Sequence, residues 1–379
     1  MYTAIVKKYF VLFAFVTLLL PALSYAQGTA TPDTIIVEKA DVTAVSSSTT
    51  QTIPGTGAQE QTQTLTATVI SGDAQGKSVT FENDYTQLSV GDEFYLRHDT
   101  NALDGTDYYS VADPYRLNIL GILAIAFVIL VIIFGGLQGI RGLASLGGSI
   151  LLIFYVLLPG ILHGYPVVAM AIGVSALIII VGSYVTHGFN RTTSAAVIGM
   201  IVTVLITGAI AFWAVHATQL SGYNTEEDVY LNFDTNGSID LVGLLFGGIM
   251  IGLLGVLYDI AIGQAIAVEE LFRAGTHMSR LQVYRRALRI GREHIGALVN
   301  TLAIAYVGAA LPLLLVVQSS TYGVLYGINS EIFATEIVRI LIGSIGLILG
   351  VPITTLVASY VLAHMEGAGT KGNVHSHGH

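Results

Sequence analysis

The sequence predicts an all-α polytopic membrane bundle of about seven transmembrane helices, preceded by a small exported β-barrel-like domain. The first observation behind this prediction is composition: of 379 residues, 53% are hydrophobic and only 11% are charged, and the mean hydropathy is +0.71. Soluble domains carry about a quarter charged residues, so this composition is typical of an integral membrane protein. The second observation is a series of long apolar runs. The third is a group of short alternating segments before the first run, typical of strands.

The N-terminus has the pattern of a secretory signal peptide over residues 1–26. Lys7 and Lys8 precede a short apolar core from Tyr9 to Leu20, and Ser24-Tyr25-Ala26 offers small residues for cleavage. An uncleaved N-terminal anchor is the alternative. In either case the sequence predicts that the following residues are exported.

Two segments are expected between the signal and the membrane. Residues 27–63 are rich in Thr, Ser, Gln and Ala, which predicts a flexible linker. Residues 64–113 predict a small β domain, a barrel of four or five strands without a His/Asp cluster or an evident catalytic group. Its strand-like segments are separated by turn-like residues and lie at 65–70, 78–81, 94–97 and 108–111.

Residues 114–364 are expected to form the membrane domain, followed by a His-containing tail at 365–379. Seven spans are predicted near 117–135, 143–162, 166–186, 194–217, 240–267, 294–317 and 333–363. The last of them is longer than a hydrocarbon core of about 30 Å requires. It either tilts strongly or breaks at Gly350-Val351-Pro352.

The distribution of charge predicts the orientation of the spans. The loops at 163–165, 218–239 and 318–332 contain no Lys or Arg, and Thr225 to Asp234 is acidic. The loops and tail expected on the opposite side contain Arg141, Arg191, Arg273, Arg280, Arg285, Arg286, Arg289, Arg292 and Lys371. By the positive-inside rule that side is cytoplasmic, which agrees with an exported N-terminal domain and places the C-terminus inside.

One carboxylate lies within a predicted span. Asp259 interrupts the apolar run from Leu241 to Val268, where a charge costs roughly 2.5 kcal/mol or more unless it has a partner or a hydrated cavity. Asn300 is expected at nearly the same depth on the next, antiparallel span, beside Thr301 and about six residues from Tyr306. The sequence predicts a proton- or cation-binding site here. The alternative is a structural hydrogen bond between helices that holds a protonated Asp259.

Two further charges open the last span. Glu336 and Arg339 are three residues apart and therefore share a helix face. We expect a self-neutralised pair that reaches the interface; the alternative is a gate or an anion-facing charge. The following Gly343, Gly346, Gly350 and Pro352 provide backbone that can unwind, as in helices that line transport sites.

Two other segments suggest partners. Residues 269–293 are predicted to form an amphipathic helix, or helix pair, at the inner membrane surface, with a protein or nucleotide partner as the alternative to lipid. Anionic lipids would be contacted by Arg280, Arg285, Arg286, Arg289 and Arg292. The tail residues His375, His377 and His379 could bind a transition-metal ion, or be incidental. We expect no nucleic-acid partner.

The second half of the chain resembles the YibE/F-like family of bacterial multi-pass membrane proteins. The blocks that carry the resemblance are 255–262, 291–296 and 300–308, with Leu311-Pro312 and weaker likenesses at 135–141, 336–339 and 343–346. The resemblance covers about 64–363. It implies a protein of the bacterial cytoplasmic membrane with a small exported domain, and it implies no particular substrate.

These observations predict a secondary transporter or exporter of a small solute or ion. Asp259, Asn300 and Thr301 would form its binding site, and Tyr306, Glu336 and Arg339 would be further candidates. The alternative is a membrane scaffold or sensor for an envelope complex that uses the exported domain. We predict neither a cofactor nor enzymatic activity, because the sequence lacks cysteine, a Walker loop and the zinc-protease and serine-hydrolase motifs. Gly-rich faces permit self-association without requiring it.

Overall fold

The computed structural model describes residues 34–53, 55, 57, 59–102, 104–275, 278–319 and 323–363. The chain divides after Ile125 into two compact units. The predicted signal peptide at 1–26 and the His-containing tail at 365–379 lie outside the described residues.

The first unit is built on a five-stranded antiparallel sheet with the strand order β3-β2-β1-β4-β5. The strands are β1 (Thr34–Thr52), β2 (Gln59–Val69), β3 (Ser78–Asn83), β4 (Glu93–Thr100) and β5 (Asp107–Pro114). Alternate residues point to one buried face, as period-two patterning requires. That face carries Leu65, Ala67, Val69, Phe81 and Phe94.

The sheet corrects two predictions about this part of the chain. The predicted linker at 27–63 is wrong from residue 34 onward, because β1 and the start of β2 occupy most of it. Its polar composition is misleading: Thr and Ser line the outer face of a strand whose Ala40 and Val42 are buried. The domain therefore begins at Thr34 and ends at Pro114, rather than spanning 64–113.

The sheet is also not a closed barrel. The edge strands β3 and β5 approach within 8 Å between Cα atoms, but no described ladder of hydrogen bonds joins them. Bulges in β1, between Val42 and Ala44 and between Val45 and Ser47, curve the sheet without closing it. The predicted barrel is corrected to an open, curved sheet.

The chain after β5 is helical, and its first helix crosses the division between the two units. Its elements are α1 (Leu117–Leu152), a π-helical turn (Ile153–Leu157), α2 (Leu158–Leu162), α3 (Val167–His187), α4 (Arg191–Ala217), α5 (Glu226–Asp234), α6 (Leu241–Ala274), α7 (Arg280–Ala309), α8 (Leu311–Ser319), α9 (Val324–Asn329) and α10 (Glu331–Leu362). Within the described residues five helical stretches are long and apolar enough to cross a membrane. A sixth is present if α7 and α8, bent by 64°, form one span.

The first apolar stretch, Leu117–Leu162, is 46 residues long, more than twice the length that a bilayer core needs. It is helical throughout except at Gly136, which has φ 53° and ψ −138°. A Cβ atom on Gly139 would clash with the carbonyl oxygen of Val131, although residues eight apart in a straight helix are about 12 Å apart. The chain therefore turns back sharply at Gly136. The predicted spans 117–135 and 143–162 are thus two arms of this one stretch, joined by a glycine turn. The described residues hold five candidate spans, or six with the bent pair, rather than the predicted seven.

Helix α10 lies at the centre of the bundle and packs against α4, α6 and α7. It is one helix of 32 residues despite Pro352, so the predicted break at 350–352 is absent. Small residues at every fourth position let α4 and α10 approach closely. The facing pairs are Gly199 with Thr354, Thr203 with Gly350, and Thr207 with Gly346.

The basic segment 269–293 is not a separate surface helix. Residues 269–274 are the last turns of α6, and α7 begins at Arg280 behind a capping box formed by Ser279 and Gln282. The predicted span 294–317 is also broken, because α7 ends at Ala309 and α8 bends away. Pro312, at the second residue of α8, has no backbone N–H with which to continue α7.

Candidate functional site

Helix α6 exposes a single stripe to the outside of the isolated chain. Between residues 248 and 263 every exposed position is a glycine except Asp259. The spacing of three or four residues places these positions on one helix face: Gly248, Gly252, Gly255, Asp259 and Gly263. We call this set the glycine stripe. The opposite face of α6 is buried by Leu253, Leu257 and Ala261 in the main core.

The glycine stripe is covered at one point. A Cβ atom on Gly252 would lie 2.6 Å from the hydroxyl oxygen of Tyr306, which reaches over from α7. A Cβ atom on Gly248, Gly255 or Gly263 would meet nothing within 4 Å. Space is therefore open on both sides of Asp259 along the stripe.

Two close approaches give the relative depth of residues on α6 and α7. Tyr306 lies over Gly252, and a Cβ atom on Gly291 would lie 2.6 Å from Nε2 of Gln264. The helices are antiparallel, and interpolation between these approaches puts Asp259 level with about residue 297. Asn300 is then about 4.5 Å further along the axis.

The structure brings Asp259 and Asn300 to similar depth without joining them. Both side chains are exposed in the isolated chain, and no hydrogen bond between them is present among the described residues. Within the same part of the chain Asp259 has no ion-pair partner. The Thr301 hydroxyl donates to the carbonyl oxygen of Ala297 on its own helix at 2.9 Å, so that donor is already engaged.

The remaining predicted residues form a cluster between α7 and α10. Arg339 Nη1 donates to Glu336 Oε1 at 2.8 Å, and its guanidinium lies 5.9 Å from the ring centroid of Tyr306. The Nε atom of Arg339 is buried and has no hydrogen-bond acceptor in the described structure. Because Tyr306 also covers Gly252, this cluster connects α10 and α7 to the glycine stripe.

A polar contact also joins α6 to α10. It lies nearer the basic end of the bundle, which carries Arg191, Arg273 and Arg280. Thr355 Oγ1 lies 2.9 Å from Gln264 Oε1 and 2.6 Å from the carbonyl oxygen of Val351, in position to donate to either. Both polar side chains are buried. The sequence does not predict this contact, since nothing local marks Thr355 as a partner of Gln264.

The N-terminal unit contains a pair that sequence reasoning missed. His98 Nε2 lies 2.9 Å from Asp107 Oδ1, and the Thr100 hydroxyl donates to the same oxygen at 2.8 Å. The His98 ring stacks on Tyr109 with centroids 4.5 Å apart. The hydrogen bond from His98, and then that from Thr100, lowers the pKa of the Asp107 carboxyl. The sequence did not predict this pair, because it forms only when antiparallel pairing of β4 with β5 joins residues nine apart in sequence.

The arginines predicted to touch lipid lie along α7. Val283, Ala287 and Gly291 form the buried face of this part of the helix. All five arginines are exposed, namely Arg280, Arg285, Arg286, Arg289 and Arg292. Among the residues that the structure describes, no group of three or more His, Asp or Glu could hold a metal ion. The predicted metal ligands His375, His377 and His379 lie outside those residues.

Comparisons with known proteins bear on both units. A family model described as YibE/F-like protein matches residues 123–364, and one described as the YibE/F family N-terminal domain matches residues 34–104. The second match begins at the first residue of β1, in agreement with the corrected start of the domain. No curated protein and no solved structure matches the chain.

Proposed function

We propose that the helical unit of this chain, which belongs to the YibE/F-like protein family, is a secondary transporter or exporter of a small solute or ion. The family and the apolar helices indicate a multi-pass membrane protein. In this transporter Asp259 binds a proton or a cation, and Asn300 contributes a polar side chain from the neighbouring helix.

The position of Asp259 on the glycine stripe carries this proposal. In the isolated chain the carboxylate is exposed in the middle of an apolar helix. Against lipid it would cost about 2.5–3.5 kcal/mol, so this face of α6 must be hydrated or covered by protein in the membrane. The flanking glycines leave room for water beside the carboxylate, which is what a group that gains and loses a proton needs.

Further polar groups follow the same side of the bundle. The cluster of Tyr306, Arg339 and Glu336 lies toward one end of α7, and Asn300 lies between it and the level of Asp259. Together they form a series of polar side chains along α6, α7 and α10. Such a series supports a pathway more readily than an isolated hydrogen bond between helices does.

We place the protein in the bacterial cytoplasmic membrane, with the basic end of the bundle in the cytoplasm and the N-terminal unit outside. The exposed arginines of α7, from Arg280 to Arg292, then face anionic headgroups at the inner surface. The acidic helix α5 (Glu226–Asp234) lies on the outer side.

Flux through proteoliposomes tests the proposal. Vesicles that contain the full chain and a trapped pH dye are given a proton gradient, with sodium, potassium, magnesium or manganese chloride outside. We expect proton movement driven by at least one of these cations, and its loss in Asp259→Asn. Gly263→Ala is the control, because it alters the same stripe without removing the carboxylate. Equal flux in Asp259→Asn and wild type would rule out the site.

The alternative function is a scaffold or sensor for an envelope complex. It is favoured by one observation: the N-terminal part is a compact unit matched by a family model of its own. Deletion of residues 34–114 separates the two functions. A transporter keeps its flux in vesicles, whereas a scaffold loses the envelope proteins that co-purify with the full chain.

A further inference from the structure

A cavity of ~410 Å³ lies at the basic end of the bundle, where α3 ends, α4 begins and α6 ends. Its volume is within the range of about 300–1,000 Å³ typical of small-ligand pockets. His187 lines it from α3, Arg191 and Thr192 from α4, and Glu269 and Arg273 from α6. It is separate from Asp259 and from the cluster around Arg339.

The charges in this cavity do not balance. The Glu269 carboxylate accepts hydrogen bonds from Arg273 and from the Thr192 hydroxyl, so its charge is already compensated. Arg191 forms neither an ion pair nor a side-chain hydrogen bond with any residue that the structure describes. With His187 neutral, the lining residues keep one unpaired positive charge. A guanidinium at a membrane surface is well suited to a phosphate group, which it can bind through two parallel hydrogen bonds.

The cavity also has an apolar wall. Ile262 is buried there, and Ile266 continues the wall to the outside of the bundle, with 45% of its surface exposed. A bare inorganic anion would use only the polar side of such a cavity. A molecule with a phosphate at one end and hydrocarbon at the other would use both sides.

We propose that this cavity binds a phosphate monoanion held by Arg191, supplied in the membrane by the headgroup of an anionic phospholipid. The glycerol and first acyl carbons lie against Ile262 and Ile266. The same guanidinium chemistry would also hold free phosphate, so the test must distinguish these two sources. This site goes beyond the proposed transport function and does not depend on it.

The test uses the full chain in detergent, titrated with phosphatidylglycerol, phosphatidylcholine or inorganic phosphate. Binding is followed by native mass spectrometry and by the shift in Tm. We expect phosphatidylglycerol to bind more tightly and raise the Tm more than phosphatidylcholine, whose phosphate charge is offset by its own choline cation. Arg191→Gln should weaken the apparent affinity about tenfold or more, as expected for loss of a charge-assisted hydrogen bond. Arg191→Lys keeps the charge but not the bidentate geometry, so its affinity for phosphatidylglycerol should lie between those of the wild type and Arg191→Gln.

The matched control is Arg141→Gln, since Arg141 is also an exposed arginine without an ion pair in the described structure and does not line the cavity. It should bind phosphatidylglycerol as the wild type does. If inorganic phosphate binds with the same dependence on Arg191 and phosphatidylglycerol does not, the anion site stands and a soluble phosphate is its source. The proposal would be overturned if Arg191→Gln and Arg141→Gln lost affinity for phosphatidylglycerol equally, or if neither variant lost affinity.

Discussion

The hydroxyl oxygen of Tyr306 lies 2.6 Å from the position that a Cβ atom on Gly252 would occupy. This approach joins α7 to α6 near the Gly248 end of the glycine stripe. Because Arg339 of α10 lies over the same tyrosine ring, one side chain connects three helices beside the proposed pathway.

A methyl group at this position should therefore displace Tyr306. We expect Gly252→Ala to lower the Tm, at a cost of about 1 kcal/mol or less, since the end of a flexible side chain has to move. Removal of the hydroxyl in the double variant with Tyr306→Phe should recover most of this loss. Thermal unfolding in detergent measures both effects. Gly248→Ala, where the added methyl meets nothing within 4 Å, should be neutral, and an equal loss there would contradict the contact.

Asp259 should react with a carbodiimide that enters the membrane. Such reagents attack protonated carboxyl groups, so the labelling of Asp259, measured by mass spectrometry, should fall as the pH rises. A cation that binds the carboxylate should protect it at constant pH. Asp240, which caps the start of the same helix, is the internal reference. Labelling of Asp259 that responds neither to pH nor to any cation would argue against a binding role.

The packing of α4 on α10 should tolerate no side chain at Gly199. A Cβ atom there would lie 2.8 Å from the Cα atom of Thr354, which is backbone and cannot move aside. We expect Gly199→Val to destabilise the bundle by about 1–3 kcal/mol, as overpacking does elsewhere. Unfolding in detergent by heat or by a denaturing surfactant measures the effect. Gly263→Val is the control, because it also adds a β-branched residue to a helix but meets nothing within 4 Å. Its smaller loss of stability should measure the effect of helix propensity without overpacking.

The N-terminal unit should lose stability in acid through Asp107. Its folded-state pKa lies below the ordinary carboxyl value, because His98 and Thr100 donate hydrogen bonds to the charged form. A lowered pKa contributes stability that is fully present above the unfolded-state pKa, about 3.9, and is lost as the pH falls through the folded-state value. The Tm of Asp107→Asn should therefore lie below that of the wild type at neutral pH, and the two Tm values should converge in strong acid.

Asp84→Asn is the control for that experiment, because Asp84 has no side-chain hydrogen bond or ion pair in the described structure. Its Tm at neutral pH should equal that of the wild type. If the difference in Tm between the wild type and Asp107→Asn stays constant into strong acid, the stabilising role of the charged Asp107 carboxylate is contradicted.

The sequence was sufficient to predict the class of the protein, the approximate positions of its apolar helices and its family. Hydrophobicity over about 20 residues is a local property, and an apolar run such as 241–268 has few alternatives to a membrane-spanning helix. The motif around Asp259 and Asn300 indicated the family, which the match over 123–364 confirms. Depth along a helix is also local, because the rise per residue is constant. The similar depth of these two residues could therefore be predicted.

Other features depend on which segments pack together, and only the tertiary structure decided them. A polar strand such as Thr34–Thr52 is recognisable through its neighbours in the sheet, and His98 meets Asp107 because two strands pair in one register. The direction in which a side chain points depends on how its helix is rotated against the others. Asp259 and Asn300 therefore lie at similar depth without a hydrogen bond between them in the described structure. The turn at Gly136 and the close approach of Tyr306 to Gly252 follow from the same cause. Burial is a property of the assembled bundle, and a local pattern determines only which segments are able to enter it.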